Sequence, residues 1–483
     1  MEKHLQSVLL RFCLNSQDFC KRRFFLPHRP HSCFHIGHIA QGSRLCELCE
    51  NNYVPYVVDN YKKTIISTIM LLKNMLIQKI EALTEANYEY LFALHRHYHA
   101  NPELTLFEFN TAARQAEEYR KAGCDQVALL AGTGVVAVIE NGPGPTILYR
   151  NDHDALPIQE ENDISYRSTV PNVGHLCGHS MVPAISVGVV RNLVALKEHW
   201  SGTVVLVSQL GEESGDGARK MLNDGLYERF PRPDLALAWH CSPTLPGGTV
   251  GIRKGPTMAC AAHLDILVQG IGGHGGFPSE TKDPVVLAAS IVMRLQTIVS
   301  REVNPLEPAV VTVGSFVTNS QKGTVIPSEV LLKLTVRCFS HAIYLQILEA
   351  IERICRGEAI AAGLPEALFP KVMPFSFFTE SVYNDPELTT KVEEIFVDYL
   401  GQNSVREEPA YTFAEDFAHY ADGGRIPLSF LWLGSVDPDK FDADGKPKEV
   451  LPSLHSPRFL THPPTTIRTG VNGMTLAMVG LMK

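Results

Sequence analysis

Between residues 135 and 239 the chain alternates short apolar segments with helical ones, and no other pattern narrows the choice of fold as far. Strand-like segments lie at 135–139, 146–149, 203–208 and 235–239, and helical segments lie at 183–197 and 218–223. Strands that alternate with helices indicate a mostly parallel sheet with helices on both faces. The sequence therefore predicts an α/β fold, in which ligands bind beyond the carboxyl ends of the strands.

Residues able to hold a metal ion or a proton come directly after three of these strands. Asp152 follows the second strand, Glu212 and Glu213 follow the third, and His240 follows the fourth. The carboxyl ends of parallel strands meet at one edge of a sheet. We therefore expect these side chains to converge there.

A loop between two of the strands adds sulfur and nitrogen donors. Cys177 and His179 lie on either side of Gly178 within residues 174–180, and His455 comes from near the C-terminus. Zinc readily accepts thiolate and imidazole ligands. Taken alone, Cys177 has the alternative interpretation of a buried thiol in a polar loop.

These residues together have the donors that a two-metal hydrolytic site needs. The five candidate ligands are Cys177, His179, Glu213, His240 and His455. Glu212 is the candidate general base, since neighbouring side chains in a loop can point apart. Asp152 and Asp154 are candidates to accept the free N–H of ligating imidazoles. The alternatives are a solvated turn for the glutamates and capping or turn formation for the aspartates.

A different pattern begins near residue 258 and ends near residue 372. Its predicted order of strand, helix, strand, strand, helix and strand is the split β-α-β arrangement of a small sandwich domain. The α/β pattern then resumes with a helix, a strand at 428–433 and a closing helix near 466–482. We therefore predict a catalytic domain of residues 72–257 and 373–483, interrupted by an inserted domain of residues 258–372.

Two residues of the inserted segment suit contact with a substrate. His274 lies in the glycine-rich loop 270–276, from which it could reach a substrate oxyanion. Arg337 closes a predicted strand and could hold a carboxylate in a bidentate pair. A plain turn and a structural arginine are the alternatives. The loop is no phosphate-binding loop, because Gly-Lys-Ser/Thr does not follow it.

Residues 1–71 differ from the rest of the chain, because neither hydrophobic period persists in them. Cys46 and Cys49 have the spacing of a CxxC pair, and Cys33, His35 and His38 are near them. A small zinc site, a transit peptide and a disordered extension are the three interpretations. We favour an extension that contributes little to the core, because a second CxxC pair is missing.

Composition bears on the remaining classes of function. The formal net charge of -9 gives no support to a general nucleic-acid-binding role. No apolar run approaches the ~20 residues that span a bilayer, so we expect no membrane span. Most of the 11 cysteines lie singly in apolar surroundings, as reduced thiols do, which indicates a cytoplasmic protein.

The motifs resemble those of the metal-dependent N-acyl-amino-acid amidohydrolases. That group includes hippurate hydrolase, the auxin-conjugate hydrolases and N-acetyl-diaminopimelate deacetylase, and it is related to aminoacylase and the glutamate carboxypeptidases. The resemblance runs from about residue 91 to the C-terminus. It rests on His-Arg-His-Tyr-His at 95–99, Pro-Glu-Leu at 102–104, Asp-His-Asp-Ala-Leu-Pro at 152–157, Cys-Gly-His at 177–179, Glu-Glu at 212–213, Gly-Gly-His at 272–274, Glu-Asp-Phe at 415–417 and Leu-His-Ser-Pro at 454–457.

The resemblance implies two divalent metal ions, Zn²⁺ or Mn²⁺, held by the five candidate ligands, with Glu212 as the base. It also implies that the inserted domain is a lid and a dimerisation surface. Three positions depart from the family pattern: Ser180 replaces an Asp, Asn151 replaces an Ala, and Thr324 replaces an Asn before the Ile-Pro element. Thr324 offers one hydroxyl where an amide offers a donor and an acceptor. We therefore expect a substrate carboxylate to be bound by Arg337, with a weakened contribution from Thr324.

The predicted function is metal-dependent hydrolysis of the amide bond of N-acyl amino acids by a homodimer that binds small molecules, and neither nucleic acid nor membranes. The metals would lower the pKa of the attacking water, and Glu212 would take its proton and return it to the leaving amine. His274 would stabilise the oxyanion. The alternatives are a dipeptidase or carboxypeptidase with the same site, and an inactive relative that serves as a binding protein.

Overall fold

A computed structural model describes residues 54–373 and 378–482 of the chain. The chain divides into two compact units, Met1–Leu71 and Leu72–Lys483. Cys46 and Cys49, on which the interpretation as a small zinc site depends, lie outside the described residues. That interpretation therefore stays a prediction.

Nine α-helices occur in the described part of the chain. They are α1 (Val54–Ala100), α2 (Phe109–Ala122), α3 (Met181–Ala195), α4 (Gly217–Asn223), α5 (Leu226–Arg229), α6 (Pro284–Thr297), α7 (His341–Ala361), α8 (Pro386–Leu400) and α9 (Pro463–Leu481). Ile80 and Leu91 of α1 are buried, as their helical spacing predicts. Helix α1 begins at Val54, ahead of residue 72, where the predicted catalytic domain begins. Met70 and Leu71 favour a helix but are exposed, so no amphipathic period marks this part of α1.

Seventeen strands occur in the same residues and form three sheets. They are β1 (Gln126–Leu130), β2 (Gly134–Asn141), β3 (Thr146–Asp152), β4 (Gly202–Gln209), β5 (Leu235–Pro246), β6 (Val250–Ile252), β7 (Gly255–Met258), β8 (Cys260–Gln269), β9 (Gly273–His274), β10 (Ala309–Thr318), β11 (Val325–Ile326), β12 (Glu329–Cys338), β13 (Lys371–Met373), β14 (Phe378–Thr379), β15 (Val382–Asn384), β16 (Val405–Glu407) and β17 (Leu428–Val436).

The largest sheet has the order β1-β2-β4-β3-β5-β17-β15-β7, with β6 beside β17 and β16 beside β6. Its centre, β4-β3-β5-β17, is parallel, whereas β2 runs antiparallel to β4 and β1 antiparallel to β2. One apolar core lies where α1, α2, α3 and α9 meet this sheet, and a second contains residues of α4 and of the 3-10 helix Asp416–Ala421. The predicted mostly parallel α/β sheet is therefore confirmed.

Strand β5 corrects one sequence expectation about the site. The apolar run predicted a strand that ends at residue 239, but β5 continues to Pro246 and His240 lies inside it. The extension pairs with β17, where Trp432 is opposite His240 and Gly434 is opposite Ser242. Polar side chains are tolerated on this part of the strand because they face the site and not the core. Asp152 is likewise the last residue of its strand and does not follow it.

The second sheet has the order β10-β12-β8-β13, with β14 also paired to β8, and every pairing is antiparallel. Helices α6 and α7 lie between its strands in the predicted order. The chain leaves the large sheet after Met258 and rejoins it at Val382. The boundaries of the inserted domain, 258 and 372, stay a prediction.

Helix α6 continues into a π-helical segment, Ile298–Glu302. Together they form the one helix in the described part of the chain, Pro284–Glu302, that is long and apolar enough by length and composition to cross a membrane. The expectation that no apolar run approaches this length therefore needs correction. Leu287, Ile291 and Leu295 are buried in the core that the helix shares with the second sheet, which accounts for these apolar residues by packing in the domain.

Candidate metal centre

A cavity of about 440 Å³ opens beside the carboxyl ends of the central strands. Four of the predicted ligands, Cys177, Glu213, His240 and His455, line it together with the predicted base Glu212. The convergence expected from the sequence is therefore present, although the residues come from loops, a strand interior and a turn near the C-terminus.

The five candidate ligands form two groups that share one thiol. The donor atoms of Cys177, His179 and His240 lie within 4.8 Å of one another, and so do those of Cys177, Glu213 and His455. The Cys177 Sγ atom is 3.4 Å from His240 Nε2, and Glu213 Oε2 is 3.4 Å from His455 Nε2. The residues of the two groups would hold two divalent cations.

The imidazoles are oriented as metal ligands are. His179 Nδ1 lies 3.2 Å from the Asp154 carbonyl oxygen and 3.3 Å from Asp154 Oδ1, and His240 Nδ1 lies 2.9 Å from the Cys241 carbonyl oxygen. These acceptors favour the proton on Nδ1 and leave the lone pair of Nε2 free to bind a metal ion. Within the described residues, His179 Nε2 is buried without a hydrogen-bond partner. Buried polar atoms are rarely left unpaired, so the residues present fit a divalent ion.

The charges around the ligands also fit a cation. Burial, followed by the nearby Glu213 and Glu212 carboxylates, raises the pKa of the Cys177 thiol well above its usual range. Burial lowers the pKa of His179, but the Asp152 and Asp154 carboxylates outweigh it and raise that pKa to about 10. A positive charge in this place is therefore favoured, and a bound cation would stabilise the thiolate form of Cys177.

Two backbone features bring the ligand loops together. Gly178 has a φ of 96°, and a Cβ atom there would lie 2.7 Å from Cys241 Cβ, so only glycine fits between Cys177 and His179. His455 has a φ of 65°, and its backbone N–H donates to the Leu176 carbonyl oxygen at 2.8 Å. A residue other than glycine is strained when its backbone has a positive φ in the left-handed region, and such strain is typical of functional sites.

The predicted base lies in a tight turn after β4. Glu212 begins the 3-10 helix Glu212–Ser214, which is flanked by Gly211 and Gly215 with φ values of 59° and 64°. The Glu213 N–H donates to Asp154 Oδ2 at 3.0 Å, which fixes the turn against the loop that orients His179. Burial, with the Glu415 and Glu213 charges next, raises the pKa of Glu212 well above its usual range.

Sequence reasoning missed the buried arginine behind the site. Arg150 donates to both oxygens of Glu415 at 3.1 and 2.9 Å and lies 2.6 Å from Asp152 Oδ2 and 3.2 Å from Asp416 Oδ1. Three carboxylates thus share one guanidinium next to the metal ligands. The sequence indicated only that Asp152, Glu415 and Asp416 lie in recognisable motifs. It could not show that Arg150 contacts them, because only the fold brings residue 150 next to residue 415.

The departure at Ser180 also has a structural role that the sequence did not indicate. Ser180 Oγ lies 3.2 Å from His99 Nδ1, and His99 Nε2 lies 3.0 Å from Glu160 Oε1. All three residues are buried. This chain of contacts ties the segment that carries His179 to the last turn of α1.

Three predicted substrate residues are not brought to the cavity. His274 on β9 and Thr324 are adjacent to each other, because Val325 pairs with His274 and the Gly275 N–H donates to the Thr324 carbonyl oxygen at 2.8 Å. Arg337 on β12 is opposite Ala261 of β8 in the second sheet. None of these three lines the cavity, so their roles in substrate binding stay predictions.

Two ligand groups that share a thiol, at the carboxyl edge of a mostly parallel sheet, define a dinuclear metallohydrolase type of site. The chain belongs to the peptidase family M20/M25/M40, whose family model matches residues 148–451. It is similar to a solved structure, the Bacillus subtilis YXEP protein, described as a dinuclear metal binding peptidase from this family. That similarity has a TM-score of 0.67 at 26% identity and covers 82% of this chain and 99% of that one.

Two curated relatives illustrate the similarity in sequence. The chain is 35% identical over 347 residues to N-acetyldiaminopimelate deacetylase of Anoxybacillus flavithermus, with 71% of this chain and 89% of the relative covered. It is 31% identical over 372 residues to IAA-amino acid hydrolase ILR1-like 4 of Arabidopsis thaliana, with 77% and 81% covered. The resemblance to amidohydrolases that the motifs indicated is confirmed.

Proposed function

We propose that the chain hydrolyses the amide bond of N-acyl amino acids in a reaction that requires two divalent metal ions. The observation that carries the proposal is the pair of ligand groups that share Cys177, with Glu212 beside them at the wall of one cavity. Relatives named as a deacetylase of an N-acetyl amino acid and as a hydrolase of an IAA-amino acid support the substrate class.

Cys177, His179, His240, Glu213 and His455 would hold the ions. Bound divalent ions lower the pKa of an attacking water and polarise a scissile carbonyl group. Glu212 would accept a proton from the attacking water and deliver it to the amine that leaves. Glu212 lies in a 3-10 turn flanked by Gly211 and Gly215, and it lines the cavity beside Glu213.

The buried residues behind the ligands keep the site rigid. Asp154 would hold the proton on His179 Nδ1, which would leave the Nε2 lone pair for a metal ion. Arg150 balances the charge of Glu415 and Asp416 behind Glu212. His274 would act from the inserted domain: its Nδ1 accepts the Gly276 N–H at 3.0 Å, which leaves a proton on Nε2 to donate to an oxyanion.

Three finer statements belong to the same proposal. The mixed sulfur, nitrogen and oxygen donors favour Zn²⁺, and Mn²⁺ is the alternative ion. The exposed apolar residues Val286, Met293, Phe316 and Val317 of the inserted segment support a homodimer formed through it. The free thiols of the described cysteines support a cytoplasmic location.

The experiment that tests the function is a hydrolysis screen with the metal-reconstituted full chain. N-acetyl and N-benzoyl amino acids, the matching dipeptides and the matching carboxamides would be compared by release of the free amine. We expect N-acyl amino acids to be cleaved faster than dipeptides. Faster cleavage of dipeptides would identify a dipeptidase and contradict the proposal.

A further inference from the structure

A pair of cysteines lies where the chain passes from the large sheet into the second sheet. Cys260 is the first residue of β8, shortly after Met258 of β7, and Cys338 is the last residue of β12. The two cysteines are opposite each other in the antiparallel ladder of these strands. Their sulfur atoms are 3.0 Å apart, and both side chains are buried. Neither cysteine lines the cavity of the metal centre.

The backbone of this pair already suits a disulfide between the two strands. Residues opposite each other in an antiparallel ladder have Cα atoms about 4.5 or 5.5 Å apart, depending on whether their backbones are hydrogen-bonded to each other. Disulfides span Cα separations of about 4.4–6.8 Å, so both arrangements allow the bond. The sulfur atoms must approach each other by about 1 Å, which a rotation of the two side chains supplies while the strands stay paired.

The contact between the two sulfur atoms favours a thiolate on one of them. The Cys260 thiol can donate to Cys338 Sγ, and this hydrogen bond lowers the pKa of Cys338, although burial opposes the change. The same hydrogen bond, together with burial, raises the pKa of Cys260. A thiolate is the form of cysteine that reacts with oxidants. Cys338 is therefore the sulfur that reacts first, with Cys260 next to it to complete a bond.

We propose that Cys260 and Cys338 form a reversible disulfide when the protein is exposed to a peroxide. The Cys338 thiolate attacks one oxygen of hydrogen peroxide and becomes a sulfenic acid, and the hydroxide that leaves takes up the proton that the thiol had lost. The Cys260 thiol then attacks this sulfur, so that the S–S bond forms, the S–O bond breaks and water leaves. Overall, two thiols and one hydrogen peroxide give one disulfide and two waters, and the peroxide accepts two electrons from the sulfurs. A dithiol reverses the step by exchange.

The disulfide would stabilise the inserted segment. It would join residues 78 positions apart, and the loop between them contains α6, β10 and most of β12. A cross-link between distant residues lowers the conformational entropy of the unfolded chain, whereas β8 and β12 are already paired in the folded chain. We therefore expect oxidation to raise the melting temperature by about 2–5 °C.

The test treats the metal-loaded full chain with hydrogen peroxide and maps its disulfides by mass spectrometry of peptides digested without reductant. We expect a cross-linked pair of peptides that contains Cys260 and Cys338 and that disappears when dithiothreitol is added before digestion. Thermal unfolding of the same samples should show the rise in melting temperature after oxidation and its loss after reduction. The inference is overturned if both cysteines remain thiols, if either becomes a sulfinic acid, or if either is joined to a third cysteine.

Variants separate this disulfide from other effects of peroxide. Cys260→Ala and Cys338→Ala each remove one sulfur, so each should abolish the cross-link and the rise in melting temperature. Cys355→Ala is the matched control, because Cys355 is buried in the same apolar core, and it should keep both. An equal rise in Cys338→Ala would show that oxidation stabilises the protein elsewhere and would contradict the inference. If an alanine variant does not fold, the peptide map of the wild-type chain still decides.

Discussion

The substitution Arg150→Met removes a guanidinium from a fully buried group of carboxylates. Arg150, Asp152 and Asp416 have completely buried side chains, and that of Glu415 is 1% exposed. Methionine approximates the length of the arginine side chain, so the principal loss is the positive charge and its hydrogen bonds. The three carboxylates would then face one another without that guanidinium.

The expected loss is large compared with that of a surface pair. Removing one partner of a buried ion pair costs about 3–5 kcal/mol. At about 2.1 cal/mol/K per residue, the unit Leu72–Lys483 has an unfolding entropy of about 0.9 kcal/mol/K, so the melting temperature should fall by about 3–6 °C. The control Arg468→Met breaks a pair with Glu85 at 2.7 and 2.9 Å whose side chains are 38% and 61% exposed. Such exposed pairs add little to stability, so Arg468→Met should lower the melting temperature by no more than about 1 °C.

Thermal unfolding followed by circular dichroism of the chelator-treated proteins would measure the difference without a contribution from bound metal. Arg150→Lys keeps the charge but loses the fork of donors, so it should unfold between wild type and Arg150→Met. The reasoning is refuted if Arg150→Met loses no more stability than Arg468→Met.

Three further predictions concern the site and the N-terminal region. Glu212→Gln should keep its metal, as measured by elemental analysis, and its rate of hydrolysis should fall by about 10²–10⁴-fold. Glu213→Gln should lose metal. A near wild-type rate for Glu212→Gln would show that Glu212 is not the base. Arg337→Ala should narrow the rate difference between free-acid and carboxamide substrates; equal cleavage of both by wild type would exclude carboxylate recognition by Arg337. Deleting residues 1–71 should leave rate and melting temperature nearly unchanged, because their composition contributes little to a core, and a large loss of either would contradict this.

The parts of the molecule that the sequence predicted are those with a local periodic signal. The helical segment predicted at 183–197 corresponds to α3, Met181–Ala195, and the strand predicted at 203–208 lies within β4. The candidate ligands Cys177, His179 and Glu213 could be predicted because thiolate, imidazole and carboxylate donors occur in short motifs near the ends of predicted strands. Their convergence then followed from the geometry of a parallel sheet.

The parts that could not be predicted depend on contacts between distant segments. His240 was placed after a strand because polar residues normally end an apolar run, whereas pairing with β17 extends β5 beyond it. Met258, Tyr411 and Trp432 line one cavity although about 170 residues separate the first from the last, and in sequence Trp432 is indistinguishable from a core residue. No local sequence pattern around Arg150 indicates its three carboxylate partners.

Titration of the chelated protein with zinc or manganese, with hydrolysis of an N-acyl amino acid as the readout, tests the central claim most directly. The two ligand groups that share Cys177 predict no hydrolysis in metal-free protein and full activity at about two equivalents of metal per chain. Full activity in protein shown by elemental analysis to be metal-free would contradict the account.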